Sequence, residues 1–211
     1  MPSILDLLSS DMGQQLITAA SAKTGETPEK TANVLSMALP VILGAMQKNA
    51  ASPQGAQSLN SALEDNRHDG SILNQLSDLL GNQSADSSLM SDGAGILGHV
   101  LGGNQQKVQQ GISKVSGVDA NSVAKIIQMA APILMGILGS QKRKDNVDEN
   151  GLGDLLGSVM GKNTDHDQSL ITTLLDADGD GSVIDDIAGM VLGGKKKKGG
   201  LGGMLGGLFG K

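Results

Sequence analysis

An internal repeat constrains the fold of this chain more than any other feature of its sequence. Residues 14–46 align with residues 106–138 at a constant offset of 92, without a gap. Gly25 falls on Gly117 in this alignment, and conservative apolar pairs lie between the identical positions. A segment used twice in this way is one supersecondary unit, so the sequence predicts a duplicated helix pair.

The first helix of each pair is predicted to be polar and amphipathic. These helices span about 12–24 and about 104–116 in the two copies. Each is followed by a glycine, Gly25 or Gly117, which is the residue that most easily takes up the left-handed conformation at a helix C-terminus. We therefore expect each polar helix to end at its glycine.

The second helix of each pair is predicted to be central and buried. These helices span about 28–48 and 119–140, and both are apolar on most faces near an internal proline. We expect Pro40 and Pro132 to kink or break them, because proline removes a backbone hydrogen bond. The predicted N-caps are Thr27, which precedes Pro28, and Asp119.

Glycine is unusually frequent and aromatic residues are almost absent. The chain of 211 residues has 31 glycines, one phenylalanine, and no tryptophan or tyrosine. Because glycine weakens helices, we expect short and often interrupted helices around a core of Leu, Ile, Val, Ala and Met. With a formal net charge of -6 and no aromatic platform for bases, the composition disfavours nucleic-acid binding.

The remaining segments complete the predicted all-α fold, a multihelical Gly-rich bundle. Between the two copies we expect short helices over about 54–65, 70–80 and 94–101. The predicted organisation is a duplicated helical domain over 1–140, a charged linker over 141–150, short helices over 151–192 and a flexible Lys/Gly/Leu tail over 193–211.

Three features of the sequence predict where in the cell this protein is found. No apolar run approaches the ~20 residues that span a bilayer. The N-terminus lacks the basic and apolar regions of a signal peptide. The absence of cysteine fits a reducing compartment. We therefore expect a cytoplasmic protein.

Several of these motifs together resemble a known family. They are the opening Ile4–Leu8, the helix segment Ala38–Met46, its echo Ala131–Gly136, the turn Gly98–Gly102 and the acidic loop Asp176–Asp186. This set resembles the bacterial YidB-like proteins, the domain of unknown function 937, over most of residues 1–192. The resemblance implies a multihelical fold and leaves the activity open.

The segment that begins at Asp176 matches the first eight positions of a calcium-binding EF-hand loop. Carboxylates stand at positions 1, 3 and 5, a glycine at position 6 permits the sharp turn, and Ser182 at position 7 would offer its carbonyl oxygen. Apolar helical patterns flank the loop on both sides. The candidate Ca²⁺ ligands are Asp176, Asp178, Asp180, Ser182 and Asp186.

The end of this loop departs from the EF-hand pattern. Position 12, where a bidentate Glu normally closes the site, is Ile187. A slightly shortened loop would bring Asp186, or less readily Asp185, onto the ion. The alternative is an acidic turn that caps a helix and holds no ion. The sequence leaves both readings open.

The three histidines are not spaced as metal ligands or catalytic groups. His68 and His166 each adjoin aspartates in polar segments, so we expect both to be solvated at the surface. His99 lies in an apolar segment, where a partly buried ring hydrogen-bonded to backbone is expected. No nucleophile elbow or phosphate-binding loop is present in the sequence, so we expect a binding protein and no enzyme activity.

The tail offers a second way to recruit a partner. Four lysines, 195–198, precede Leu201, Met204, Leu205, Leu208 and Phe209, which share one helical face. This composition suits peripheral membrane contact through 195–211, although its glycines oppose a helix in water. The alternatives are an unstructured tail, an unknown protein partner and self-association. A helical DNA-binding protein is a further alternative, which the few polar side chains on helices 28–48 and 119–140 disfavour.

Overall fold

The computed structural model describes residues 4–74 and 83–161, and within these ranges the chain is helical without a β-strand. The helices are α1 (Ile4–Ser9), α2 (Asp11–Thr24), α3 (Pro28–Ala50), α4 (Pro53–Glu64), α5 (Ser71–Asn74), α6 (Gln83–Leu101), α7 (Gln105–Ser116), α8 (Ala120–Lys144) and α9 (Leu152–Met160). Short 3₁₀ turns at Asn66–His68 and Gly102–Asn104 follow α4 and α6. The all-α fold class is therefore confirmed.

The core forms around the two apolar helices, α3 and α8, which contact each other. The segments predicted to be buried are buried: Ala38 is 1% exposed and Ala131 is 0% exposed. The large side chains with almost no exposure come mainly from these two helices: Leu35, Ile42, Leu43, Met46, Ile126, Ile127, Met129, Leu134 and Leu138. The remaining helices surround this pair.

The predicted helix ends are confirmed. Gly25 and Gly117 follow α2 and α7 in the left-handed conformation, with φ of 74° and 69°. Thr27 Oγ1 accepts a hydrogen bond from the Lys30 amide at the start of α3. Asp119 Oδ1 accepts from two amides at the start of α8, each at 3.0 Å. These caps pair backbone donors that a helix leaves unsatisfied.

Helices α3 and α8 have nearly the bounds predicted for them, 28–48 and 119–140, and the internal proline does not break either helix. They have 23 and 25 residues, and each continues through its proline, Pro40 or Pro132. Burial of their apolar side chains outweighs the weak helix propensity of glycine and proline. Some glycines inside helices lie where two backbones meet, as at Gly93, where a side chain would overlap the backbone of Gln128 in α8.

The boundaries of the shorter helices differ from the expectation in one clear case. Helix α4 starts and ends within a residue of the predicted 54–65 segment. Helix α6 begins at Gln83, well before the predicted start near 94. Its Leu89, Leu97 and Gly93 are buried against the core, so packing extends the helix through a polar stretch.

The first residues of the predicted linker are helical. Helix α8 continues to Lys144, and Lys142 Nζ donates to Glu64 Oε1 at 2.9 Å. The Arg143 guanidinium donates to the carbonyl oxygens of Glu64, Asp65 and His68. Lys142 and Arg143 belong to a charged run with the composition of a linker, but their hydrogen bonds to α4 and the following turn hold this run in place.

Helix α9 packs on α3 and α8 and belongs to the same core. Its buried side chains are Leu152, Leu155, Leu156 and Val159. The other residues of the predicted 151–192 region, from Lys162 onward, and the tail over 193–211 lie outside the described residues.

Candidate functional site

A cleft of about 680 Å³ opens between α4, with its following turn, and α6. Met46 of α3 and Met135 of α8 lie at its floor, and both side chains are almost completely buried. Leu59 of α4 and Ile96 of α6 add apolar walls. This volume is within the ~300–1,000 Å³ range of ordinary ligand pockets. The cleft is therefore the candidate binding site of the described structure.

His68 lines this cleft and corrects the expectation of a solvated surface histidine. The residue is 8% exposed, and its Nδ1 lies 2.7 Å from the carbonyl oxygen of Ala62 in α4. Because a carbonyl oxygen only accepts, the Nδ1 of His68 carries the proton in this contact. The turn after α4 folds the ring inward, where it satisfies a carbonyl of the last turn of the helix.

Three charged side chains bridge the two walls of the cleft. The Arg67 guanidinium lies 3.0 Å from Asp65 Oδ2 and 3.6 Å from Asp92 Oδ1 of α6. Hydrogen bonds from the side chain and backbone of Arg67 lower the pKa of Asp65 to about 2. Two carboxylates against one guanidinium leave the rim with one net negative charge when both carboxylates are ionised.

His99 also lines the cleft, and its ring is exposed. The expectation of a partly buried ring is therefore wrong. The helical register explains the difference. Leu97 and Leu101 lie one turn apart on the face of α6 that packs on the core, whereas His99, two residues from each, points away from that face. Asn49 Nδ2 donates to the carbonyl oxygen of Val100 at 3.0 Å and joins the end of α3 to this wall.

The candidate calcium ligands lie outside the described residues. These are Asp176, Asp178, Asp180, Ser182 and Asp186, and His166 lies outside as well. In the ranges that the structure describes, no group of three or more His, Cys, Asp or Glu residues is arranged to hold a metal ion. The calcium site therefore stays a prediction from the sequence.

Helix α8 is long and apolar enough, by length and composition alone, to cross a membrane. Its most apolar window has a mean hydropathy of 1.6, and 78% of that window is buried inside the protein. Burial of this kind is typical of the central helix of a folded domain. The apolar composition of α8 is thus accounted for by its place in the core.

Comparison with protein families identifies the lineage of this domain. The family described as "Bacterial protein of unknown function (DUF937)" matches residues 6–141. The chain belongs to this family. The DUF937 match runs from α1 into α8, so both walls of the cleft and its methionine floor lie inside it. No curated protein and no solved structure matches this DUF937 chain.

The sequence did not indicate the residues at the rim of the DUF937 cleft. Asp65 and Arg67 stand in a polar turn, and Asp92 lies on another helix 25 residues further along the chain than Arg67. No spacing rule connects such positions, because their proximity depends on how α4 packs beside α6. The burial of His68 could not be predicted either, because its neighbours in the sequence are charged.

Proposed function

We propose that this DUF937 protein is a non-enzymatic binding or scaffold protein. Its cleft would accept a helical peptide segment that is apolar on one side and basic on the other. One observation carries the proposal, the combination of a methionine floor with a negatively charged rim. Helix-in-groove recognition uses an apolar groove for affinity and flanking charges for orientation.

The chemistry of the cleft supports this choice of ligand. Methionine side chains adapt to differently shaped apolar surfaces, as at Met46 and Met135. Asp65 and Asp92 share the single cation Arg67, so the ionised pair leaves one negative charge at the rim that attracts a basic segment. His68 lines the same wall with its Nδ1 proton committed to Ala62.

A fluorescence titration tests whether the cleft binds such a segment. The chain has no tryptophan or tyrosine, so a synthetic amphipathic Leu/Lys peptide with one tryptophan emits against a dark background. Gly95 lines the cleft, and a Cβ built there meets nothing within 4 Å. We expect Gly95→Leu to place an isobutyl group in the cleft and to weaken binding at least tenfold.

Gly98 provides the matched control for this experiment. It lies on the same helix, its added Cβ also meets nothing within 4 Å, and it does not line the cleft. We expect Gly98→Leu to bind the peptide like the unchanged protein. Equal binding by both variants would rule out the cleft as a peptide site.

Calcium responsiveness is a second candidate function. The motif Asp-x-Asp-x-Asp-Gly over 176–181 supports it, because hard carboxylate oxygens at this spacing suit Ca²⁺. In this proposal Asp176, Asp178, Asp180, the Ser182 carbonyl and Asp186 hold the ion. Without a bidentate Glu at position 12 the site binds weakly, so Ca²⁺ would stabilise the protein chiefly where calcium is abundant.

Thermal denaturation with and without calcium tests this second candidate. We expect millimolar Ca²⁺ to raise the Tm of the full chain, and the combined Asp178→Ala and Asp180→Ala change to abolish the rise. Mg²⁺ at the same concentration is the control for general ionic effects. An unchanged Tm in millimolar Ca²⁺ would remove this function.

Peripheral membrane contact through 195–211 is the alternative role of the tail. Four lysines beside an apolar face support it, as does the attraction of basic segments to anionic lipid. Sedimentation with anionic vesicles would compare the full chain with a variant carrying Leu201→Asp, Leu205→Asp and Leu208→Asp. Equal pelleting of the two proteins would count against this role.

We also propose that the α2–α3 and α7–α8 pairs arose by duplication. Two local features that the pairs share support this proposal. Gly25 and Gly117 donate their amides to the carbonyl oxygens of Ser21 and Ser113, at 2.9 Å and 3.0 Å. Both apolar helices start at a capped residue and carry a proline at the same place in the repeat.

A further inference from the structure

We infer that the cleft is occupied by the chain's own C-terminal segment, residues 195–209. This inference rests on the proposed binding function, and it names the occupant of the same site. The segment has the composition that the cleft selects, with four lysines followed by apolar residues at helical spacing. A segment of the same chain also needs no partner to be present.

The cleft is large enough for the apolar side of this segment, whereas the apolar hollow lined by Leu7, Leu8 and Met12 measures only about 30 Å³. Among the described residues, Val115 is the large hydrophobic side chain that is exposed, at 59%. The cleft, in contrast, is lined by the partly exposed Ile96 and Val100, with the almost fully buried Met46 and Met135 beneath them. An apolar face of Leu201, Leu205 and their neighbours would therefore lose most water-accessible area by entering the cleft.

Charge favours the same placement. The rim carries Asp65 and Asp92 against the single cation Arg67, whereas the segment carries lysines at 195–198. The lysines precede the apolar residues, so they would reach the rim while the apolar face enters the cleft. Attraction between such exposed charges weakens as salt is added, because ions screen it.

The connection is long enough for this contact. The residues between Gly161, the last that the structure describes, and Lys195 are 162–194, which is 33 residues. At about 3.3 Å per extended residue this connection reaches up to ~110 Å, several times the breadth of a small domain. Attachment to the same chain raises the effective concentration of the segment at the cleft above that of a separate molecule.

Disulfide trapping in the full chain tests the inference. The chain has no native cysteine, so Ser91→Cys on the wall of the cleft and Met204→Cys in the segment form a defined pair. Under mild oxidation we expect an intramolecular disulfide at least tenfold faster than in the matched pair Thr18→Cys with Met204→Cys. Thr18 is exposed on α2, which does not line the cleft.

Replacing the lysines at 195–198 by glutamate should slow trapping at position 91 and leave the control pair unchanged. Equal rates for the two pairs would overturn the inference. Disulfides formed mainly between chains would overturn it in favour of a second copy. Equal rates together with pelleting on anionic vesicles would overturn it in favour of a membrane.

The peptide titration separates this inference from the proposed function. A full-length variant with Leu205→Asp and Leu208→Asp should bind the Leu/Lys peptide at least tenfold more tightly than the unchanged chain, because the competing segment is weakened. Equal affinity would overturn only the inference, whereas absence of peptide binding in both proteins would overturn the proposed function as well.

Discussion

Gly93 and Gly95 lie two positions apart on α6 and face entirely different surroundings. A side chain at Gly93 would overlap the backbone of Gln128, because α6 and α8 approach each other there. At Gly95 the same addition meets open space in the cleft. The first glycine therefore permits close packing of two helices, and the second leaves room for a ligand.

These two positions give opposite predictions for the same substitution. We expect Gly93→Ala to lower the free energy of unfolding by about 1–3 kcal/mol through overpacking. Gly95→Ala should raise it by up to ~1 kcal/mol, because alanine favours the helix. Urea denaturation of the full-length variants measures both changes. Equal effects of the two substitutions would contradict this account of the α6–α8 contact.

At the scale of single elements, the caps decide where the long helices begin. The Asp119 carboxylate accepts hydrogen bonds from Asn121 and Ser122 at the start of α8. Its pKa is lowered, first by hydrogen bonding with Ser122 and then by Asn121 and the charge of Lys125. The ionised form is the one that the folded protein prefers.

The sign of the pH dependence follows from this lowered pKa. The contribution of Asp119 is fully present above its ordinary unfolded pKa and is lost as the pH falls through the lower folded pKa. We expect Asp119→Asn to keep the cap at pH 7. Between about pH 5 and about pH 2, the Tm of this variant should fall less than the Tm of the unchanged protein.

Asp119→Ala completes the cap series. We expect this variant to lose the cap at neutral pH and to melt a few degrees lower than the unchanged protein. The exposed change Lys144→Ala, at the other end of α8, is a control for substitutions elsewhere in the helix. An Asp119→Asn variant as unstable as Asp119→Ala would show that the charge matters more than the hydrogen bonds.

At the scale of the whole molecule, the end of α8 joins the walls of the cleft to the core. Lys142 pairs with Glu64, and its side chain is 9% exposed whereas that of Glu64 is 58% exposed. Arg143 donates to three carbonyl oxygens around the end of α4. These contacts hold α4 and the His68 turn against α8, and they set the width of the cleft.

Removing the guanidinium should loosen this junction. We expect Arg143→Ala to lower the free energy of unfolding by about 1–2 kcal/mol, because its charge-assisted hydrogen bonds are lost. Lys144→Ala, at the exposed neighbouring position, should change it by less than ~0.5 kcal/mol. Hydrogen exchange should show faster exchange of the α4 amides in the arginine variant only. Unchanged exchange there would contradict this role.

Lys142→Met tests a different property of the same junction. Methionine keeps an apolar side chain of similar length in the buried position and removes the charge. Because the remaining Glu64 carboxylate is largely exposed, it is not left buried without a partner. We expect the midpoint of urea denaturation to stay nearly unchanged, whereas Lys142→Ala should lower it through lost packing.

The sequence by itself determined the local features of this protein. The glycine stops, the Thr27 and Asp119 caps and the burial of both proline-containing helices could be predicted, because each depends on neighbouring residues or on helical periodicity. The family could be recognised from short motifs such as Ala38–Met46 and Ala131–Gly136, which lie inside the matched residues 6–141. Tertiary structure alone decided what depends on distant contacts.

Those contacts carry α3 and α8 through Pro40 and Pro132 without a break, because burial outweighs local propensity. They turned His68 inward onto Ala62 and left His99 exposed. The cleft and its charged rim exist only because α4 packs beside α6. No pattern in the sequence indicates that α4 and α6 will be neighbours, because the free energy that brings them together comes from the packed core as a whole.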